Sequence, residues 1–137
     1  MKIFISGSKS INCLSAEIKD YIIALAKDGN EFIIGDCFGV DLAVQKLLFE
    51  KNVSAVTVYC SGETPRYNVG GWNVIALGVK DLKGYEFYCV KDVKMALDAD
   101  FGLFVWEGKS RGTKNNVEEM KKLGKPFKIF SCSADFY

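Results

Sequence analysis

Histidine is absent from this chain of 137 residues. That removes Ser-His-Asp and Cys-His nucleophile systems, histidine metal centres and the commonest general base near neutral pH. Proline is scarce, with 2 residues, Pro65 and Pro126, so few positions break a helix or strand outright. An excess of either charge is missing too: 18 basic and 17 acidic residues leave a formal net charge of +1. A dedicated nucleic-acid or membrane-surface binder usually carries a larger electrostatic footprint. No apolar run approaches the roughly 20 residues of a membrane span, and the apolar start at 3–5 is too short for a signal peptide. The 5 cysteines (Cys13, Cys37, Cys60, Cys89 and Cys132) are odd in number and contain no CxxC pair. They read as reduced thiols of a cytoplasmic protein, and neither a disulfide frame, a metal site nor a cofactor is expected.

What is present is a strong alternation of apolar segments. Apolar residues make up 49% of the chain and aromatics 13%, which fits one globular domain over residues 1–137. Short apolar runs at 2–6, 31–34, 54–59, 101–106 and 127–130 read as strands, several without polar alternation, as buried parallel strands do. Between them lie helical patterns. The first carries Leu14, Ile18, Tyr21, Ile22 and Leu25, with Asn12 as cap and Gly29 as stop; others are expected at about 41–51, 91–97 and 113–123. Residues 61–88 form an irregular, aromatic-rich excursion with one or two short strands. The predicted fold is α/β, a single Rossmann-like three-layer domain. Its mostly parallel sheet of about five strands takes the order 3-2-1-4-5, with helices on both faces.

Such sheets bind ligands outside the carboxyl ends of their strands, where the strand order reverses. Three glycine loops are predicted to meet there. Gly7, Ser8, Lys9 and Ser10 offer amides, hydroxyls and a cation, although glycine and serine also make an ordinary strand-to-helix turn. Gly35, Asp36, Gly39 and Asp41 bracket two acids, and Asp41 is read either as a helix-start carboxylate or as a ribose ligand. Gly108, Lys109, Ser110, Arg111, Gly112 and Thr113 open a helix, whose free amides suit an anion such as phosphate. Arg66 and Trp72 belong to a segment read as a lid or as packing beneath a long loop.

Other signatures fail. A Walker A loop ending at Gly108-Lys109-Ser110 needs glycine where Leu103 stands, and no GxGxxG occurs. Glu118 is a candidate catalytic carboxylate, but its spacing from Lys122 also makes an exposed helical pair.

The strand-then-loop Ile5-Ser6-Gly7-Ser8, the segment Gly35-Asp36 to Gly39-Val40-Asp41 and the run from Trp106 through Gly108, Ser110, Gly112-Thr113 to Asn115-Asn116 together resemble the SLOG superfamily. This group includes the DprA and lonely-guy-like Rossmannoid domains. Within it, the chain is similar to the YspA/YpsA-related branch of small bacterial and phage proteins, a likeness strengthened by Arg66, Asn68, Gly70, Trp72, Lys91-Asp92 and Met95. The resemblance implies a domain that binds a nucleotide or nucleotide-derived ligand, such as an ADP-ribose derivative, as sensor or sequestering module. It also implies homo-oligomers; nucleic acid is not expected as a partner on the ground of the balanced charge alone. The alternative is an N-glycosidase acting on a nucleoside monophosphate, with Asp41 or Glu118 supplying the carboxylate. Against that, the hydrolase pattern PGGxGTxxE retains only Gly112-Thr113 here, and Asn116 replaces its glutamate.

Overall fold

The computed structural model describes residues 1–131; Cys132 and the remainder of 132–137 lie outside the described residues. Six parallel strands form one sheet in the order β4-β3-β2-β1-β5-β6. The chain runs β1 (Lys2–Gly7), α1 (Ala16–Lys27), β2 (Glu31–Ile34), α2 (Val40–Glu50), β3 (Val56–Cys60), β4 (Asn73–Ala76), α3 (Gly84–Asp98), β5 (Phe101–Trp106), α4 (Arg111–Lys122) and β6 (Phe127–Ser131). The predicted order holds, and the excursion adds β4, which pairs with β3 from Thr57↔Asn73 to Cys60↔Ala76.

Strand periodicity sorts the side chains between two cores. On one face Ile3 and Ile5 meet Ile18 and Ile22 of α1 and Val44, Leu47 and Leu48 of α2. On the other, Phe4, Ile33 and Phe104 meet Met95 and Ala96 of α3 and Val117 and Met120 of α4. Phe4 and Phe104 stack edge to face with ring centroids 5.4 Å apart, a geometry that stabilises beyond the buried area alone. Helices α1 and α2 therefore cover one face, and α3 and α4 the other. The change of face falls between β1 and β5, which pair from Ile3↔Phe101 to Gly7↔Val105.

Helix starts depart from the predicted ones by a few residues. Ser15, three residues past Asn12, caps α1 by accepting from the Ile18 amide at 3.3 Å, and Ser110 caps α4 by accepting from that of Thr113. The larger departure is α3. It begins at Gly84, whose φ of +61° suits a residue without a side chain, so the last part of the presumed excursion is helical.

Candidate functional site

The three predicted loops do meet at the carboxyl edge, and steric crowding accounts for most of their glycines. A Cβ on Gly7 would lie 2.4 Å from the Val105 carbonyl oxygen, and one on Gly39 would lie 2.5 Å from the carbonyl oxygens of Ser8 and Lys9. A Cβ on Gly35 would lie 2.6 Å from Asp41 Oδ2 and 3.1 Å from Lys91 Nζ. These glycines let the loops pack on one another. Gly112 differs: it lies in the first turn of α4 without a positive φ, and nothing stands within 4 Å of the Cβ it would carry.

Between the loops opens a cleft of about 580 Å³. Of the predicted residues, Gly7, Lys9, Ser10, Asp41, Ser110, Arg111, Gly112 and Thr113 line it. Ser8 is buried behind it, where its Oγ accepts from the Glu107 amide at 3.3 Å. Asp36 is also buried and holds Arg66 by three bonds: Arg66 Nη2 donates to Oδ1 at 3.1 Å, and the Arg66 backbone amide and Nε donate to Oδ2 at 2.9 and 3.4 Å. Arg66 Nη2 also donates to Cys37 Sγ at 2.9 Å.

Gly35, Gly39, Arg66, Gly108 and Lys109 flank the cleft without lining it, and Trp72 and Glu118 lie away from it. Trp72 turns inward against the first core, and its Nε1 donates to the Val53 carbonyl at 3.0 Å. The strap around it is tied to α2 by Gln45, which accepts from the Val69 amide at 2.9 Å and donates to the Tyr67 carbonyl at 3.1 Å. Glu118 projects from α4 with its side chain 55% exposed, facing Lys121 at 3.9 Å. It is absent from the cleft, so Asp41 and Glu118 do not form a carboxylate pair there.

Helix α3 supplies what sequence reasoning missed. Tyr85, Tyr88, Cys89, Lys91 and Asp92 all line the cleft. The signal was present, since Tyr85, Tyr88, Asp92 and Met95 follow helical spacing. Each tyrosine ring carries a cation on its face. The Arg111 guanidinium sits 3.7 Å from the Tyr85 centroid, the Arg66 guanidinium 4.3 Å from that of Tyr88, and Lys9 Nζ 5.3 Å from the same ring. Tyr85 also accepts a hydrogen bond from Asn115 on α4. Phe38, 56% exposed in the β2–α2 loop, adds an aromatic at the same edge.

The floor is ionic. Lys91 is 2% exposed and donates from Nζ to Asp92 Oδ1 at 2.7 Å. Burial opposes its charge, but its acidic neighbours, the Asp92 carboxylate first and then Cys37 and Asp41, raise its pKa above the usual lysine value. Asp41, also buried, accepts from the Cys37 amide at 3.1 Å. Desolvation pushes Asp41 up to about 7, although Lys91 and that amide act the other way. Asn116, at the position of the hydrolase glutamate, is buried and donates to Ser6 Oγ at 3.0 Å.

The wall provided by the β5–α4 loop is closed by its own residue. Glu107 Oε1 accepts from the amides of Ser110 at 2.7 Å and Lys109 at 3.0 Å, and Oε2 accepts from Ser10 Oγ at 2.9 Å. Partial burial alone would raise this carboxyl; the bonds from Ser110, Ser10, Ser8 and Lys109 hold it below the usual glutamate range. The residue escaped notice because nothing local marks a glutamate that folds forward past Gly108 onto the amides of Lys109 and Ser110.

Among the described residues no group of histidine, cysteine and carboxylate side chains could hold a metal ion, and no helix is long and apolar enough to cross a membrane. Every buried side-chain nitrogen and oxygen among them has a partner.

No family model and no curated protein matches the sequence. Among solved structures, the chain is similar to DNA processing protein A (DprA) from Helicobacter pylori, described for its single-stranded DNA binding mode. The TM-score is 0.73 at 15% identity, over 99% of this chain and 70% of that one. The likeness supports the Rossmann-like fold of the DprA type. It also corrects two expectations, that the ligand is a free nucleotide or ADP-ribose derivative, with N-glycosidase chemistry as the alternative, and that nucleic acid is not a partner. Two physical reasons accompany the correction. Net charge sums the whole chain, whereas strand binding depends on where the cations gather, here Lys9, Arg66 and Arg111 at one edge. Of the loop amides offered to a nucleotide phosphate, those of Lys109 and Ser110 are occupied by Glu107.

Proposed function

We propose that this domain is a SLOG-type module that binds single-stranded nucleic acid across the cleft at the carboxyl edge of its sheet. One observation carries the reading: Tyr85 and Tyr88 line the cleft, each with a cation at its face. Sequence-tolerant strand binding combines stacking platforms for bases with cations that follow the backbone, and a stacked base contributes about 1–3 kcal/mol. Exposed Phe38 extends the aromatic edge. Gly112 supports the same reading, because a helical glycine costs up to about 1 kcal/mol relative to alanine and no neighbour in the fold requires it. It leaves room for a backbone to approach the start of α4. The similarity to a protein described as binding single-stranded DNA agrees with this use of the fold. Free thiols at Cys13, Cys37, Cys60 and Cys89 fit a reducing cytoplasm.

The test is fluorescence anisotropy with a labelled oligothymidylate and a duplex of equal length. Single strand is expected to bind preferentially, and Tyr88→Ala to weaken it by about 5- to 150-fold, the loss of one stacking platform. Among the described residues neither Lys9 nor Arg111 makes an ion pair, whereas Arg66 is held by Asp36. Two phosphate contacts give a slope of log K against log salt of about −1.4. Equal affinity for duplex, or wild-type affinity in Tyr88→Ala, would refute the proposal.

A further inference from the structure

The cleft holds three carboxylates: Asp41 takes the single amide of Cys37, Asp92 the buried Lys91 ammonium, and Glu107 alone takes two successive backbone amides. Two successive backbone amides and a hydroxyl from a second loop converge on its two oxygens within 3.0 Å. Gly108, with φ of +91°, provides the turn that brings the carboxylate back over the loop. Adjacent amides directed at one oxygen form the concavity that elsewhere cradles phosphate. Here it is filled from within by an anion that cannot diffuse away. The amides of Arg111 and Gly112, at the start of α4, lie just beyond it.

We propose that Glu107 is an internal phosphate substitute that closes this loop to terminal phosphomonoesters, so the cleft takes a strand through bases and internal phosphodiesters. The inference rests on the strand-binding reading and adds a selectivity to it. A phosphomonoester is largely a dianion at neutral pH. Placed in the cleft, it would have to displace a covalently tethered carboxylate held by charge-assisted hydrogen bonds, or sit beside it against like-charge repulsion. A phosphodiester carries a single charge and can be met by Lys9 and Arg111 at the rim. Glu107 is thus a specificity-determining residue for the 5′ end of the strand.

Glu107→Gln keeps an acceptor for the two amides and removes the charge, so the loop retains its shape while the acceptor becomes easier to displace. Orthophosphate is titrated into isotopically labelled wild type and variant, following the amide resonances of Lys109 and Ser110. Oligothymidylates with 5′-hydroxyl or 5′-phosphate ends are compared in parallel. Wild type is expected to keep both resonances unmoved and to gain nothing from a 5′-phosphate. The variant is expected to show phosphate-dependent shifts and to bind the 5′-phosphorylated strand roughly tenfold tighter than its own 5′-hydroxyl control, as removal of one like charge at a half-exposed site predicts.

Movement of the Lys109 and Ser110 resonances in wild type on adding phosphate would overturn the inference, and that reading does not depend on how the variant folds. A folded variant with no gain for phosphate would overturn it as well. If wild type bound neither oligonucleotide, the strand reading alone would fall, and the orthophosphate titration would still decide the role of Glu107.

Discussion

Removing the buried lysine gives the sharpest test of the cleft floor. Lys91→Met keeps the length of the stem and deletes a charge whose side chain is 3% exposed, leaving Asp92, 17% exposed, without its 2.7 Å partner. Breaking a buried ion pair from one side costs about 3–5 kcal/mol; the partial exposure of Asp92 places this case near the lower end, about 3 kcal/mol. For a domain of this size that corresponds to roughly 10 °C in melting temperature.

Asp41 adds a pH signature. Its folded-state value of about 7 lies above the 3.8 of the free side chain, so the native state binds the extra proton between those limits. Asp41 therefore costs stability progressively as pH rises from about 4 through 7. Lys91 lowers the Asp41 pKa, so its removal moves the folded value higher and extends the decline. The gap between wild type and Lys91→Met should be wider at pH 8, where Asp41 of the wild type is ionised with Lys91 beside it, than at pH 5, where it carries its proton in both proteins. Urea unfolding at the two pH values measures both gaps, and adding Asp41→Asn should recover part of the loss at pH 8. A gap below about 1 kcal/mol at pH 8, the size of an exposed pair, would refute the reasoning. So would a gap that did not change with pH.

Three further outcomes follow from the same geometry. Gly39→Ala combines a φ of +72° with a Cβ 2.5 Å from two carbonyl oxygens and should lose about 3 kcal/mol or more in urea unfolding. Gly112→Ala meets no atom within 4 Å; it should raise stability by up to about 1 kcal/mol yet weaken oligothymidylate binding, and unchanged affinity would remove Gly112 from the site. Trp72→Phe deletes the Nε1 bond to the Val53 carbonyl and should cost about 1 kcal/mol with no change in strand affinity.

The layer structure was legible because its causes are local. Ile3, Phe4 and Ile5 alternate between two cores, and an apolar run such as 101–106, flanked by glycine, already identifies a buried strand. The loops that meet at the carboxyl edge were legible too, since right-handed crossovers dictate where successive strand ends fall. The purpose of their glycines was not. Gly7, Gly35 and Gly39 look like a phosphate loop in one dimension, and in three they are explained by carbonyls of β5 and the β1–α1 loop, a carboxylate of α2 and an ammonium of α3.

Sequence alone thus determined the fold class, the strand order and the edge at which the three glycine loops meet. Strand and helix periods are properties of consecutive residues, and the crossover rule adds only handedness. Tertiary structure decided the site's content: the tyrosines of α3 and their cations, the burial of Lys91 against Asp92, the inward turn of Trp72 and the outward turn of Glu118. It also placed Glu107 on the amides that a phosphate would otherwise take. The cations on the tyrosines and the Trp72 bond to Val53 join side chains far apart in the chain, a distance no local pattern encodes. The Lys91–Asp92 and Glu107 contacts are local in sequence, but their burial and direction are set by the elements packed around them.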